Sequence, residues 1–158
     1  PAGMLGYYVV SVAAVAVWRG QGRRREERRC RHLPRWVIID TGSNMLSVSA
    51  PLLRELRKHG LGATSLRTHL ELTLGAGAET VKMDYAYRDY AMGGELLVRD
   101  NLPFDRDDVM LLGTLFMRGR YMEFDLRRRT LGVAQLQGTT PCPEGGCPAP
   151  VVRTQRPG

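Results

Sequence analysis

The apolar run Trp36-Val37-Ile38-Ile39 ends on Asp40-Thr41-Gly42-Ser43, and no other junction constrains the fold of this chain as tightly. Four consecutive apolar residues bounded by turn formers predict a buried strand. In the tetrapeptide, Thr41 can hydrogen-bond behind the carboxylate, Gly42 permits a close turn, and Ser43 can hold the carboxylate in plane. A carboxylate is thus delivered to a tight turn at the end of a buried strand. Asp-Thr-Gly also occurs in ordinary turns, where Asp and Gly are favoured, so the tetrapeptide alone leaves a structural and a chemical reading open.

The surrounding sequence predicts strands with two short helices. Tyr8, Val10, Val12, Ala14 and Ala16 alternate with Tyr7, Val9, Ser11, Ala13, Val15 and Val17, a half-buried strand closed by a turn at Trp18-Arg19-Gly20-Gln21-Gly22. Ser49 is placed to cap a helix with Pro51 in its first turn, Leu52, Leu53 and Leu56 on one face, and Gly60 as its terminator. Leu70, Leu72 and Leu74 alternate, Gly75-Ala76-Gly77 turns the chain, and Val81, Met83 and Tyr85 alternate on the return. A further strand is expected near Glu95 to Val98, before a turn at Asp100-Asn101-Leu102-Pro103. Only 7% of residues are aromatic, so the core must rest on Val, Leu, Ile and Met. A length of 158 residues suits one domain: the folded unit is expected over 1–137, with a Pro- and Gly-rich flexible extension over 138–158.

Downstream of the Asp40 turn lie Met110-Leu111-Leu112-Gly113-Thr114-Leu115-Phe116, then Tyr121-Met122-Glu123-Phe124-Asp125, an arginine-rich turn, and Leu131-Gly132-Val133-Ala134. In this order, with Gly6-Tyr7-Tyr8-Val9-Val10-Ser11-Val12 as the opening strand, the chain resembles the carboxy-terminal lobe of the pepsin-like aspartic proteases, roughly from Tyr7 to Ala134. The resemblance implies a mostly β acid-protease lobe of closed, folded sheets with two short helices. An apolar-apolar-Gly segment would cross behind the catalytic loop, and a Tyr-x-x-Phe-Asp hairpin would close the lobe.

It also implies a chemistry. In that family two carboxylates sit so close that they share a proton, because like charges a few ångströms apart cannot both ionise. One then serves as base and the other as acid in peptide-bond hydrolysis. Asp40 is the catalytic candidate, Thr41, Gly42, Ser43 and Gly113 are its supports, and neither a metal nor an organic cofactor is implied. A secretory or vacuolar/lysosomal route follows from the resemblance alone. Two positions depart from the family pattern: Thr114 follows Gly113 where an acidic or amide residue is common, and Asn44 stands where Ser or Thr is more usual.

The second carboxylate is missing, for no other Asp is followed by Thr-Gly or Ser-Gly. Three readings follow: the second lobe of a longer chain, a single lobe that dimerises to complete the dyad, or an inactive lobe kept as a binding or structural module. Pro1 in place of Met favours an upstream first lobe. The expected partners are therefore a polypeptide substrate and a second lobe, upstream or in a homodimer. Met4 to Val17 lacks the basic residues that precede a secretory core, and no apolar run is long enough to span a bilayer. Any targeting sequence is expected upstream of Pro1.

Charge raises a separate candidate. The run from Arg23 to Arg31 carries six Arg against Glu26 and Glu27 in a chain of net charge +7. Without aromatic or motif context it reads as a solvated loop biased towards acidic partners rather than a nucleic-acid site. His32, His59 and His69 have no metal-ligand spacing. Cys142 and Cys147 are placed to close a small ring in the tail, which leaves Cys30 either free or paired upstream. The shared proton favours acidic conditions, whereas the basic pI of about 9.8 suits a milder optimum.

Overall fold

β1 (Tyr8–Gln21) is the strand around which the others are arranged. The structure, a computed structural model, describes residues 8–21, 24–62, 67–128, 130–136 and 153–155. The fold is mostly β. After β1 come β2 (Arg24–Arg29), β3 (Trp36–Ile39), β4 (Leu46–Ser47), helix α1 (Ala50–Lys58), β5 (Thr68–Ala76) and β6 (Glu79–Ala86). The one-turn helix α2 (Tyr87–Tyr90) precedes three two-residue strands, β7 (Ala91–Met92), β8 (Glu95–Leu96) and β9 (Val98–Arg99). The chain then runs through β10 (Val109–Leu112), a 3-10 turn (Thr114–Met117), β11 (Arg120–Asp125), β12 (Thr130–Gln135) and β13 (Arg153–Gln155).

One long strand serves two regions of the main sheet. Tyr8–Ser11 pair antiparallel with β3, whereas Val12–Arg19 pair with β5. The register shifts between Val12 and Ala14, so the strict alternation expected of this segment breaks there. Val10 and Val12 are buried before the irregularity, and Val15 and Val17 after it. An extra residue in one strand changes which side chains face the core. β1 also continues to Gln21, so the turn expected from Trp18 starts later. The arginine-rich stretch is not a loop: Arg24–Arg29 pair with Ala16–Gln21 as an edge strand. A strand made only of charged residues on such an edge discourages pairing with other chains.

The helix and the hairpin follow their sequence signals. Ser49 Oγ accepts from Leu52 N at 3.5 Å, Leu52, Leu53 and Leu56 are buried, and Gly60 leaves the helix with φ 99°. β5 and β6 turn at Gly77-Ala78 between the paired Ala76 and Glu79, and bury Leu70, Leu72, Leu74, Met83 and Tyr85. The expected strand near Glu95 to Val98 is two short strands, β8 and β9, in different sheets. Tyr121 pairs with Ala134 and Phe124 with Leu131 in the β11–β12 hairpin, where Asp125 Oδ1 accepts from the amides of Arg127 and Arg128 at 3.0 and 2.9 Å. Of the expected tail, Arg153–Gln155 form a strand against β12, and Cys142 and Cys147 lie outside the described residues. Among the described residues, no helix is long and apolar enough to cross a membrane.

Glu55 of α1 fastens the approach to β3. Its carboxylate accepts from the amides of Arg31 and His32, all at 2.9 Å, and lies 3.0 Å from His32 Nδ1. Burial alone would push its pKa up, but these hydrogen bonds and the His32 charge outweigh it and hold it at about 2, down from 4.5. A carboxyl depressed in the folded state contributes stability above its unfolded pKa and loses that contribution as pH falls through the folded one. Glu55→Gln is therefore expected to cost about 2 kcal/mol near neutral pH. In urea unfolding followed by fluorescence, the gap to the parent should shrink as pH falls from 4.5 towards 2; a gap that stays constant contradicts this account.

Candidate active-site loop

β3 and β4 are consecutive strands, yet they are not neighbours. β10 lies between them, parallel to β3 and antiparallel to β4. The loop that joins β3 to β4 must therefore pass over the end of β10, and Asp40 sits at its start. All four residues of β10 are buried, as are Val37, Ile38 and Ile39, which explains the apolar runs on both sides of the site.

Backbone hydrogen bonds fix the loop to the β10 end. Asp40 N donates to Leu112 O at 3.0 Å, Gly113 N to Met45 O at 2.9 Å, and Thr114 N to Ser43 O at 2.7 Å. The Asp40 carboxylate is half-buried, and its Oδ1 accepts from Gly42 N at 2.8 Å. This bond turns the side chain back over its own loop and orients it. Thr41 and Gly42 are exposed beside it.

Gly113 is required by space rather than by backbone angle, for its φ is −86°. A Cβ there would lie 2.5 Å from Met45 O, 2.6 Å from Ser43 O and 2.7 Å from Met45 N. Those atoms belong to the hydrogen-bonded loop and cannot withdraw without breaking it. Gly42 is tight in a milder way, since its Cβ would meet Asp40 Oδ1 at 3.2 Å.

The structure thus brings Asp40, Thr41, Gly42, Ser43 and Gly113 together at one loop crossing. It differs from the sequence expectation in two details: the Ser43 hydroxyl accepts from Met45 N at 3.3 Å, bracing the loop rather than the carboxylate, and the exposed Thr41 side chain makes no hydrogen bond behind the carboxylate among the described residues. Thr114 and Asn44, the two departures, are coupled to each other. Thr114 Oγ1 lies 3.1 Å from Ser43 O and 3.0 Å from Asn44 Oδ1, and its single proton is shared between these acceptors. Met45 was not foreseen, because it contributes only backbone atoms and no side-chain signal marks them. Among the described residues, no group of three or more His, Cys, Asp and Glu is placed to hold a metal ion.

Several further titratable side chains have structural partners. His69 stacks on Trp18 at 3.8 Å between ring centroids and lies 2.9 Å from Asp84 Oδ2, while Trp18 Nε1 donates to Asp84 Oδ1 at 2.9 Å. Cys30 is a free thiol packed against the core, its pKa pushed up to about 12 by burial and by the Glu55 charge. It is a poor nucleophile there. Tyr85 and Tyr90 are buried, their hydroxyls donating to Phe116 O at 2.8 Å and Thr68 O at 3.0 Å.

No protein-family model matches the chain, and no curated protein matches it.

Gly113→Ala should destabilise the protein by about 1–3 kcal/mol, the usual cost of forcing an extra carbon into a packed site. The amide resonances of Ser43 and Met45 should shift with it. An alanine variant with unchanged unfolding midpoint and unchanged amide positions would show that the crossing is looser than described.

Proposed function

We propose that this chain is a pepsin-like lobe of an aspartic endopeptidase, with Asp40 as one of two carboxylates that hydrolyse peptide bonds. The observation that carries the reading is the loop crossing: a half-buried carboxylate on a turn locked to a buried strand by backbone bonds, over a glycine that no other residue can replace without a clash. The downstream segment order that resembles the pepsin-like proteases supports it. The second carboxylate comes from another lobe, either upstream in the same chain or across a twofold axis.

In this scheme Asp40 and its counterpart share one proton. The ionised member takes a proton from water as the water oxygen bonds to the peptide carbonyl carbon, and the protonated member gives its proton to the carbonyl oxygen. Collapse of the tetrahedral intermediate breaks the C–N bond, and the departing nitrogen takes up a proton from the pair. The Gly42 amide keeps the Asp40 carboxylate oriented through the cycle, and positioning of this kind accounts for much of the acceleration. The exposed Thr41 side chain makes no hydrogen bond among the described residues, which leaves it available to brace the facing loop.

Asp40→Asn in the native protein should lower the turnover number for an unfolded polypeptide substrate by about a thousandfold or more. The circular dichroism spectrum and unfolding midpoint should stay close to those of the parent. Full activity in the variant sinks the mechanism; a parent protein that cleaves nothing at any pH leaves the inactive-lobe reading in its place.

A further inference from the structure

On the face of the β1–β2 hairpin next to α1 lies a cavity of about 260 Å³ lined by Val17, Arg19, Glu26, Arg28, Lys58 and His59. The pairing register explains its composition. Val17 stands opposite Arg28 and Arg19 opposite Glu26, so these four side chains share one face of the hairpin. Trp18, Glu27 and Arg25 fall on the other face, where Glu71 takes Arg25 at 2.6 Å and Lys82 at 3.0 Å. The C-terminal end of α1 closes the cavity with Lys58 and His59.

The charges here do not cancel. Glu26 is already engaged by Arg28, with Nε at 3.0 Å and Nη2 at 2.5 Å from the same carboxylate oxygen. Arg19 and Lys58 have no ion pair among the described residues. The Arg19 guanidinium lies against Gly60, where a Cβ would come within 1.9 Å of Nη2, so the absence of a side chain at Gly60 lets it reach this position. His59 Nε2 is buried with no hydrogen-bond partner. Glu55 Oε1 is 3.6 Å from it, too far for a hydrogen bond, and that carboxylate is taken up by Arg31 and His32. The amides of His59, Gly60 and Leu61 donate to the carbonyls of Glu55, Arg57 and Leu56 near the end of α1, so these three carbonyls are already engaged.

A concave site with two cations that have no ion pair among the described residues matches an acceptor-rich anion. We propose that this cavity binds a tetrahedral oxyanion, either free phosphate or the phosphoryl end of a small metabolite, held by Arg19 and Lys58 with the His59 ring as part of the wall. Arg28 remains with Glu26 as one wall. The site is independent of Asp40 and stands whether or not the chain cleaves peptides.

Calorimetric titration of the native protein with inorganic phosphate and with glycerol phosphate, each against chloride at matched ionic strength, tests it. The expected result is saturable binding of one anion per chain. Affinity should fall at least about tenfold in Arg19→Gln/Lys58→Gln and stay unchanged in Arg106→Gln, an exposed arginine paired with Asp108. Tighter binding of glycerol phosphate assigns the site to a metabolite; equal binding assigns it to the free ion. Both ligand residues are exposed on the rim, so the double variant should fold, which its unfolding midpoint checks. As a second probe, the His59 ring resonances should shift on phosphate addition. Absence of binding in the parent, or binding that survives the double variant with His59 unmoved, overturns the proposal.

Discussion

Everything at the candidate site depends on β10 lying between β3 and β4. Those two strands are joined by a short loop, and separating them by a third strand forces the loop to cross over the chain at Leu112-Gly113-Thr114. Buried backbone groups at such a crossing must be paired, and here the pairing is reciprocal: Asp40 and Gly113 each donate to the other segment. The arrangement positions a carboxylate with main-chain atoms alone. Side chains then refine it, through Gly42 N on Asp40 and the coupled Thr114 and Asn44.

Parts of this were legible in the sequence because they are local. Ser49, Pro51 and Gly60 bound a nine-residue helix by capping chemistry, and the alternating Leu70, Leu72 and Leu74 can only be one face of a strand. Asp40 was visible for the same reason, since a turn signal directly follows an apolar run. What was hidden is non-local or carries no side-chain pattern. Ala13 is the residue without a β5 partner between Val12 and Ala14, and an alanine followed by another alanine cannot mark where an alternation slips. β2 has no apolar residue; its extended state comes from pairing with β1 and from ion pairs such as those of Arg28 with Glu26 and Arg25 with Glu71. The contact of Thr114 with Asn44 joins residues far apart in the chain, so neither position alone announces it.

The two faces of the β1–β2 hairpin show how one charged stretch acquires two roles. On one face Glu71 pairs with Arg25 and Lys82 while Glu27 also pairs with Arg25; burial alone would raise the Glu71 pKa, but its two cationic partners outweigh it and the carboxyl titrates below its usual range. On the other face the positive charges outnumber the single Glu26, and a cavity forms. A charge count over the run sees only the sum. Strand geometry sends successive side chains to opposite faces, and the two faces then differ through residues outside the run, Glu71 and Lys82 on one and Arg19 and Lys58 on the other.

The central claim is that Asp40 works as half of a proton-sharing pair. It is tested most directly by the pH dependence of peptide hydrolysis by the native protein. A shared proton predicts a bell-shaped profile on the acid side of neutrality, with two apparent constants split well apart by the repulsion of two close carboxylates. A rate that rises monotonically with pH, as a lone carboxylate base would give, would contradict the account.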